Sequence, residues 1–269
     1  MKTLVPSLVE ALSLVLRTSP KTTTTAVPMS HQRVDKTQHK APIRARLMDA
    51  ALKLIERDMD CKLTIDETVK VAGVSRGSFY NYFESIEELL HALSHELSDQ
   101  MVQDILPMYG VLMEPWQRIS VGYRLFMVRA FMDPAWATFV TRHEAWEHNT
   151  LVSNYVAKDI QEGVAKGFFN VKSIVAGTDF LMGASARAVD SIRRGVQSPG
   201  LYMETQVQMI IHSMGCPRDL SESAAEFSLT YLKMWAKGGL IGKPSKPFWA
   251  RNIHSSLGKA FLQFGDTDQ

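Results

Sequence analysis

The chain has 269 residues, of which 45% are hydrophobic, and a formal net charge of +2. That length suits one large or two medium domains with a buried core. The small net charge excludes a generally basic protein, so any site that binds a polyanion must be a local basic patch. Because no apolar run approaches the ~18–20 residues that cross a bilayer and the two cysteines, Cys61 and Cys216, cannot build a disulfide framework, we expect a cytoplasmic protein without a membrane partner.

The chain order predicts a helical protein behind a flexible start. Residues 1–42 are expected to form a flexible N-terminal arm, since 18–42 are rich in Thr, Pro and Lys. From Ile43 onward, apolar residues recur at steps of three and four through Ile55, which indicates a helix over 43–57. Further helical stretches are predicted at 86–106, 116–131, 134–147, 150–166, 172–195, 200–214 and 219–237, separated by prolines and glycines. No alternating strand pattern occurs, so the fold class is all-α, with 241–269 as a C-terminal tail that carries a short helix near 253–264.

Residues 64–88 carry signals for three successive helix starts. Thr64 and Glu67 form a capping box, in which the threonine side chain satisfies an amide of the first turn. Gly73 suits the left-handed position that ends the helix over 65–72, and Ser75 suits the N-cap of the next helix, over 76–82. A second capping box at 85 and 88 starts the third helix. Two short helices joined by a tight turn predict a helix-turn-helix.

The short helix over 76–82 has two different faces. Phe79 and Phe83 are four residues apart, so they share one face and can pack against the preceding helices. The opposite side carries residues 77, 78, 80 and 81, which are glycine, serine, tyrosine and asparagine. Glycine inside a helix costs about 1 kcal/mol relative to alanine, and close approach to another surface explains why it stands there. Double-stranded DNA offers such a surface, with phosphates and base edges that these side chains can bond. The alternative is a purely structural three-helix unit whose tyrosines only cover a core. Glycine at 77 and serine at 78 disfavour that alternative.

The run AGVSRGSFYNYF, within residues 43–93, resembles the N-terminal domain of TetR-family transcriptional regulators, and a looser resemblance reaches about residue 237. The resemblance implies an N-terminal three-helix helix-turn-helix DNA-binding head, over 43–88, followed by a larger helical ligand-binding and dimerisation bundle over 89–240. It implies a homodimer, more often a repressor than an activator, that binds a roughly palindromic double-stranded DNA operator and is released by a small-molecule effector. Carried over to this chain, it implies base contacts from Arg76 and Ser78. It also implies a phosphate contact from Thr64, and contacts of Tyr80 and Tyr82 with phosphate or a thymine methyl. The full expected DNA-binding set is Thr64, Ser75, Arg76, Gly77, Ser78, Tyr80, Asn81, Tyr82 and Arg44.

One position departs from the family pattern. Where the family usually has a phosphate-binding lysine, this chain has Ile86, with glutamates at 84, 87 and 88 beside it. Either basic residues of the arm and first helix compensate, which we favour, or the chain is a helical scaffold or partner-binding protein with weakened DNA affinity. The compensating candidates are Arg33, Lys36, Lys40, Arg44 and Arg46.

The second half predicts a cavity and a dimer interface. Bulky side chains recur along the helices, and a group of them suits an apolar ligand cavity, although each suits an ordinary core equally well. The expected ligand-binding residues are Trp116, Tyr123, Phe126, Met127, Trp146 and Phe180, with arginines 124, 129 and 142 and His143 available to orient a polar group. The helix over 172–195 is rich in small residues, so it can pair closely with 219–237, across a two-fold axis or within one subunit.

The sequence gives no support for an enzyme. The run HEAWEH at 143–148 lacks the HExxH spacing of zinc proteases, and each close pair in it would supply only two metal ligands. The run GASAR at 183–187 lacks the second glycine and the preceding strand of a nucleophile elbow. We therefore expect no catalytic residue, no metal site and no cofactor.

Overall fold

The computed structural model describes residues 41–58, 62–93, 96–97, 106, 110–141, 150–238, 250 and 252–266. The regular structure in these ranges is helical, without a strand, which confirms the all-α prediction. The described residues fall into two compact units, one within Pro20–Asp99 and the other within Gln100–Gln269. The arm predicted over 1–42 lies outside the described residues, apart from two positions that begin the first helix.

The first unit, called the head below, contains four helical segments. They are α1 (Ala41–Arg57), α2 (Ile65–Ala72), α3 (Arg76–Tyr80) and α4, whose described part covers 86–93. Helix α2 packs against both α1 and α3. The apolar stripe of α1 is buried, as its spacing predicts, and it shares the core with Val69 of α2, both phenylalanines and the leucines of α4. The rest of the helix predicted over 86–106 lies largely outside the described residues.

The second unit, called the body below, is arranged around one long helix. Its elements are α5 (Pro115–Met132), α6 (Pro134–Val140), α7 (Thr150–Ala165), α8 (Ile174–Arg194), α9 (Pro199–Ser213), α10 (Arg218–Ala236) and α11 (Ser256–Gln263). Helix α5 contacts every other helix in this set and is buried on all sides. The short helix predicted near 253–264 is α11, which packs on α5 and places Phe264 against Phe131, with ring centroids 5.2 Å apart. The last residues of the helix predicted over 134–147 lie outside the described ranges.

Three arginines of α5 are buried although arginine is rarely found inside a core. Arg124 donates from Nε to Ser228 Oγ at 2.8 Å and from Nη2 to the Ala225 carbonyl at 3.0 Å, so it ties α5 to α10. Burial lowers the pKa of Arg124 to about 10, which still leaves it protonated at neutral pH. Arg129 lies over the Trp136 ring, 4.6 Å from its centroid, and so ties α5 to α6. These two side chains, considered as ligand-orienting groups in the sequence, stabilise the packing of the body instead.

Helix α3 ends at Tyr80, two residues before the predicted end. The Tyr82 amide donates to the Phe79 carbonyl at 2.9 Å, a tight turn that takes the chain out of the helix. Asn81 is the C-cap, and Tyr82 lies half-buried beyond it. The helix is short because Phe83 must reach the core immediately after it, where it is 2% exposed.

Candidate nucleic-acid interface and effector cavity

The start of α2 is fixed by the predicted threonine. Thr64 Oγ1 accepts from the Glu67 amide at 3.3 Å and donates to the Glu67 carboxylate at 2.9 Å. Thr64 is therefore confirmed as the N-cap. Glu67 lies at the capping-box position, and its carboxylate bonds the threonine hydroxyl. Thr64 itself is exposed, so its backbone and hydroxyl lie at the surface of the head.

The turn between α2 and α3 has the predicted geometry. Gly73 is left-handed, with φ 62° and ψ 41°, and the Val74 amide reaches back to the Val69 carbonyl at 3.0 Å. Ser75 caps α3, because its Oγ accepts from the Ser78 amide at 3.0 Å and lies 2.8 Å from Ser78 Oγ. The angle between the two helices is thus set by local bonds that the sequence already indicated.

Arg46 of α1 strengthens this turn from the other side. Its Nη2 donates to the carbonyls of Ala72 and Gly73, at 2.6 and 2.9 Å. These carbonyls stand at the end of α2, where no helical amide follows to bond them. Arg46, one of the expected compensating cations, therefore has a positioning role in the helix-turn-helix, which its place on a helix before the motif did not indicate.

Helix α3 is held in place by the two phenylalanines. Phe79 is fully buried and lies 5.8 Å from Phe83, measured between ring centroids. The Tyr80 ring meets Phe79 edge-on at 5.7 Å, yet Tyr80 remains 49% exposed. The apolar body of this tyrosine thus rests on the head while its hydroxyl end remains accessible.

The structure brings most of the predicted DNA-binding residues onto one exposed surface. We call the exposed residues of α3 and its flanks the α3 surface. Its exposed members are Ser75, Arg76, Gly77, Tyr80 and Asn81, and Ser78 and Tyr82 are half-buried beside them. Both charged and hydroxyl groups are available there, so the surface can bond phosphates and base edges.

Gly77 has open space around it. A methyl group added to its Cα would meet nothing nearer than Ser75 Oγ, at 3.8 Å, which is ordinary van der Waals contact. No packing within the described part of the protein therefore requires glycine at this position. A requirement for glycine would have to come from something that approaches α3 from outside.

Arg44, the remaining predicted DNA-binding residue, lies elsewhere in the head. Its guanidinium is 3.6 Å from Glu96 and stands over the Phe83 ring, 5.6 Å from the centroid. The pair is exposed, so it contributes at most about 1 kcal/mol and does not prevent contact with a polyanion. Arg44 thus lies on α1, outside α3 and its flanks, and is still accessible.

The acidic stretch at the start of α4 serves partly as a cap. The Glu88 amide donates to Ser85 Oγ at 3.2 Å, and the Glu88 carboxylate accepts from the Glu84 amide at 2.5 Å. The Ser85 side-chain cap is confirmed, but the Glu88 carboxylate bonds the Glu84 amide, one residue before the N-cap amide that a capping box uses. One of the three glutamates near Ile86 thus has a local structural explanation.

The body contains a small cavity between α5, α7 and α8. Its volume is about 30 Å³, room for roughly two water molecules if each needs about 10–15 Å³. Of the predicted ligand-binding residues, Tyr123 and Phe126 line it. Trp116, Met127 and Phe180 are not among its lining residues. Trp116 packs against Phe227, Met127 is fully buried, and Phe180 is 55% exposed on α8. Trp146 lies outside the described residues.

Polar groups at the cavity are mostly committed to protein partners. Tyr123 Oη donates to Gln206 Oε1 at 2.9 Å, and Ser185 Oγ donates to the Leu181 carbonyl at 2.9 Å. Burial raises the pKa of Tyr123, so its hydroxyl stays protonated. Since their protons are used, these two oxygens can offer only lone pairs, and a ligand that bonds them must bring a donor.

Two members of a buried ion cluster, Arg118 and Asp159, line the cavity. Arg118 donates from Nε to Asp159 Oδ1 at 2.7 Å and from Nη1 to the carbonyls of Leu112 and Met113, at 3.0 and 3.1 Å. Its Nη2 reaches Glu162, whose pKa is lowered first by the hydrogen bond from Lys166 and further by the Arg118 charge. Arg118 and Asp159 therefore connect the cavity wall to the segment that precedes α5. Sequence spacing could not reveal the pair, because 41 residues separate its members.

The small residues of α8 do not share one role. A methyl group on Gly177 would lie 2.9 Å from Val171 Cγ1, so this glycine allows close packing inside the body, whereas Gly183 faces open space. Helix α8 packs on α5, α6 and α7, and α10 packs on α5 and α9. The helix predicted to pair with α8, over 219–237, is α10, and one of its faces is buried inside the body. Large exposed apolar side chains of the body's helices lie on α7, α8 and α9, namely Leu151 and Val164, Val175 and Phe180, and Leu201 and Met209.

Other site classes find no support in the residues that the structure describes. No group of three or more His, Cys, Asp or Glu in those ranges is arranged to hold a metal ion. The run HEAWEH lies outside them. No helix in the described part is long and apolar enough to cross a membrane. Cys216 is buried, and burial raises its pKa to about 12.

Comparisons with known proteins agree with this geometry. Residues 47–93 match the tetR family of bacterial regulatory proteins. The chain is 33% identical over 98 residues to the HTH-type transcriptional regulator Rv1255c of Mycobacterium tuberculosis, covering 36% of this chain and 48% of that protein. It is 25% identical over 175 residues to the HTH-type transcriptional regulator BetI of Rhizobium meliloti, covering 62% of this chain and 86% of BetI. The chain thus spans about half the length of the Mycobacterium tuberculosis relative.

Solved structures show the same fold. The structure of RolR without ligand has a TM-score of 0.51 at 18% identity, covering 68% of this chain and 96% of RolR. RolR in complex with resorcinol has a TM-score of 0.50 at 19% identity, covering 71% of this chain and 96% of RolR. At this identity the likeness supports the fold alone.

Proposed function

We propose that the chain, whose residues 47–93 match the tetR family of bacterial regulatory proteins, is a dimeric DNA-binding transcriptional regulator released from its operator by a small molecule. The observation that carries the proposal is the α3 surface. Two buried phenylalanines, Phe79 and Phe83, hold α3 in place, and its exposed side carries hydroxyl and guanidinium groups. It also carries a glycine that no packing in the described residues requires. Repression is the simplest consequence of a protein that occupies an operator until its effector arrives.

We assign Arg76 and Ser78 to base contacts and Thr64, Tyr80 and Tyr82 to the DNA backbone. Arg76 is an exposed cation on α3 with a planar guanidinium, the group most often used to read guanine. The ring of Tyr80 packs on Phe79 while the residue remains exposed, which suits phosphate contact, and Tyr82 lies half-buried beside it. The domain division at residues 88 and 89 remains part of this proposal.

The homodimer is proposed to form through α8 and α9. Four large apolar side chains stand exposed on these two adjacent helices, and Gly183 leaves α8 open to close approach. A second copy is the occupant we favour, because a two-fold axis would bring two heads to one palindromic site. Phe180→Glu should therefore give a monomer in sedimentation experiments and lose operator binding. Val164→Glu, at an exposed position of α7, should change neither property.

The effector is proposed to be small, uncharged and mostly apolar, with at least one hydrogen-bond donor. The charges of Arg118 and Asp159 compensate each other at 2.7 Å, so the cavity wall has no excess charge for an ion. The cavity must widen to admit such a molecule, and widening would strain the Arg118 contacts with the segment before α5. Resorcinol, the ligand of RolR in its complex, is a suitable first probe because it is a small hydroxylated ring.

Selection of bound fragments from random DNA tests the proposal as a whole. The full chain is expected to enrich a roughly palindromic sequence, to bind it as a dimer, and to release it in the presence of a fitting effector. Binding should weaken steeply with salt, because phosphate contacts release counterions. Failure to enrich any sequence, or binding without salt dependence, would leave the partner-binding scaffold as the better reading of the head.

A further inference from the structure

The guanidinium of Arg76 is held between two side chains. Its Nη1 lies 2.9 Å from Asp66 Oδ1, in a bond that crosses the turn from α3 to the first turn of α2. On the other side its Nη2 is 3.5 Å from Tyr80 Oη, and its carbon stands 6.0 Å from the centre of the Tyr80 ring. Both partners are exposed, so this arrangement sits on the α3 surface itself.

From this arrangement we infer that Asp66 is a specificity-determining positioning residue, which restricts Arg76 to reading a base. The inference rests on the proposed function. A free arginine side chain has many rotamers and can reach several phosphates as well as base edges. Bonded from Nη1 to Asp66 and from Nη2 to Tyr80, the guanidinium keeps a restricted orientation. The remaining N–H groups on Nη1, Nη2 and Nε stay available for a bidentate contact with guanine.

The charge of Asp66 acts in the same direction. Non-specific DNA binding depends almost entirely on cations that neutralise phosphates. A carboxylate 2.9 Å from Arg76 offsets that cation and would itself be repelled by a neighbouring phosphate. Binding to arbitrary sequence should therefore be weakened, while a guanine in the correct position still receives the ordered donors. Asp66 thus raises the ratio of specific to non-specific affinity from both sides.

A purely structural role for Asp66 makes a different prediction. Asp66 lies in the first turn of α2, where a negative charge favours the helix. If that were its whole contribution, its removal would change the stability of the head and alter binding to all duplexes equally. The ratio of affinities, rather than either affinity alone, distinguishes the two roles.

The test compares Asp66→Asn with a control of equal charge change. Asp49 is also exposed, and it pairs with Lys53 within α1 instead of with α3, so Asp49→Asn is the matched variant. Each protein is titrated with the duplex that the wild type selects and with a scrambled duplex, by fluorescence anisotropy at several salt concentrations. For Asp66→Asn we expect the ratio of affinity for the selected duplex to affinity for the scrambled duplex to fall about five- to tenfold, with tighter binding to the scrambled duplex. The salt slope on that duplex should steepen by about 0.9, since one more cation becomes available to phosphate.

Arg76 supplies the second arm of the experiment. In an Arg76→Ala background, Asp66→Asn should leave the affinity ratio unchanged, because the residue acts through the arginine. An unchanged ratio for Asp66→Asn in the wild-type background, or an equal fall in both backgrounds, would overturn the inference. A wild type that selects no sequence at all would instead refute the proposed function, so the two failures are distinguishable.

Discussion

Replacing Gly77 with alanine should have opposite effects on stability and on DNA binding. In the free protein the added methyl group meets only Ser75 Oγ, at 3.8 Å, and φ is outside the positive range. Alanine is favoured over glycine in helices by about 0.8–1 kcal/mol, and a position near the start of a five-residue helix should gain up to about that amount. Gly77→Ala is therefore expected to be neutral or mildly stabilising in guanidinium chloride unfolding followed by circular dichroism.

The same methyl group should weaken DNA binding. If α3 approaches the duplex closely enough to require glycine, the extra carbon overpacks the interface, which costs about 1–3 kcal/mol, or about five- to 150-fold in affinity. Anisotropy titrations with the selected duplex measure this loss directly. Because the variant is at least as stable as the wild type, the loss cannot be attributed to unfolding.

Gly163→Ala is the contrasting control. Its added methyl group would stand 2.0 Å from Cδ2 and 2.8 Å from Cγ of the Phe169 ring, so the ring as a whole would have to move. We expect a loss of stability of about 1–3 kcal/mol, with the head unaffected. A Gly77→Ala protein that binds the selected duplex like the wild type would refute the close-approach explanation for this glycine.

Three further experiments test the burial of Phe79 in the head, the buried ion pair of the body and the burial of Cys216. Phe79→Ala removes a fully buried ring and should destabilise the head by about 3–5 kcal/mol, seen as loss of DNA binding at temperatures where the body's circular dichroism persists. Asp159→Asn removes one of the two carboxylates that bond the buried Arg118, the one at 2.7 Å, while Glu162 remains, and should cost about 1–3 kcal/mol in denaturant unfolding. An Arg118→Met, Asp159→Leu double variant should cost less than the single change, because no buried charge is left. Because burial raises the pKa of Cys216 to about 12, a thiol reagent at pH 8 should label it only in denaturant, and rapid labelling of Cys216 in the native protein would contradict that burial.

The local features of the head could be predicted because they depend on neighbouring residues. Thr64, Gly73 and Ser75 each satisfy or close a helix end through bonds to amides or carbonyls a few positions away. The burial of Phe79 and Phe83 likewise follows from their four-residue spacing. Such signals identify a helix-turn-helix in a single sequence.

The contacts of the body could not be predicted, because they join distant parts of the chain. Arg118 meets Asp159 and Arg124 meets Ser228, 41 and 104 residues away, and nothing in the spacing of α5 marks either arginine as buried. Glycines are ambiguous for the same reason. Gly77 and Gly163 both interrupt good helical patterns, yet one faces open space and the other a phenylalanine ring. The cavity shared by Tyr123 and Phe126 excludes Phe180 because the α8 register turns that side chain outward.

The most direct test of the central claim, that the α3 surface reads DNA, is the base preference of Arg76→Ala. Selection from random DNA is repeated with this variant, and its affinities for the selected and scrambled duplexes are compared with those of the wild type. We predict that preference is lost at one base pair in each half-site, with about 1–3 kcal/mol less discrimination there, while the other positions are still selected. An equal loss of affinity for selected and scrambled duplexes would contradict the claim, since Arg76 would then contribute charge and no readout.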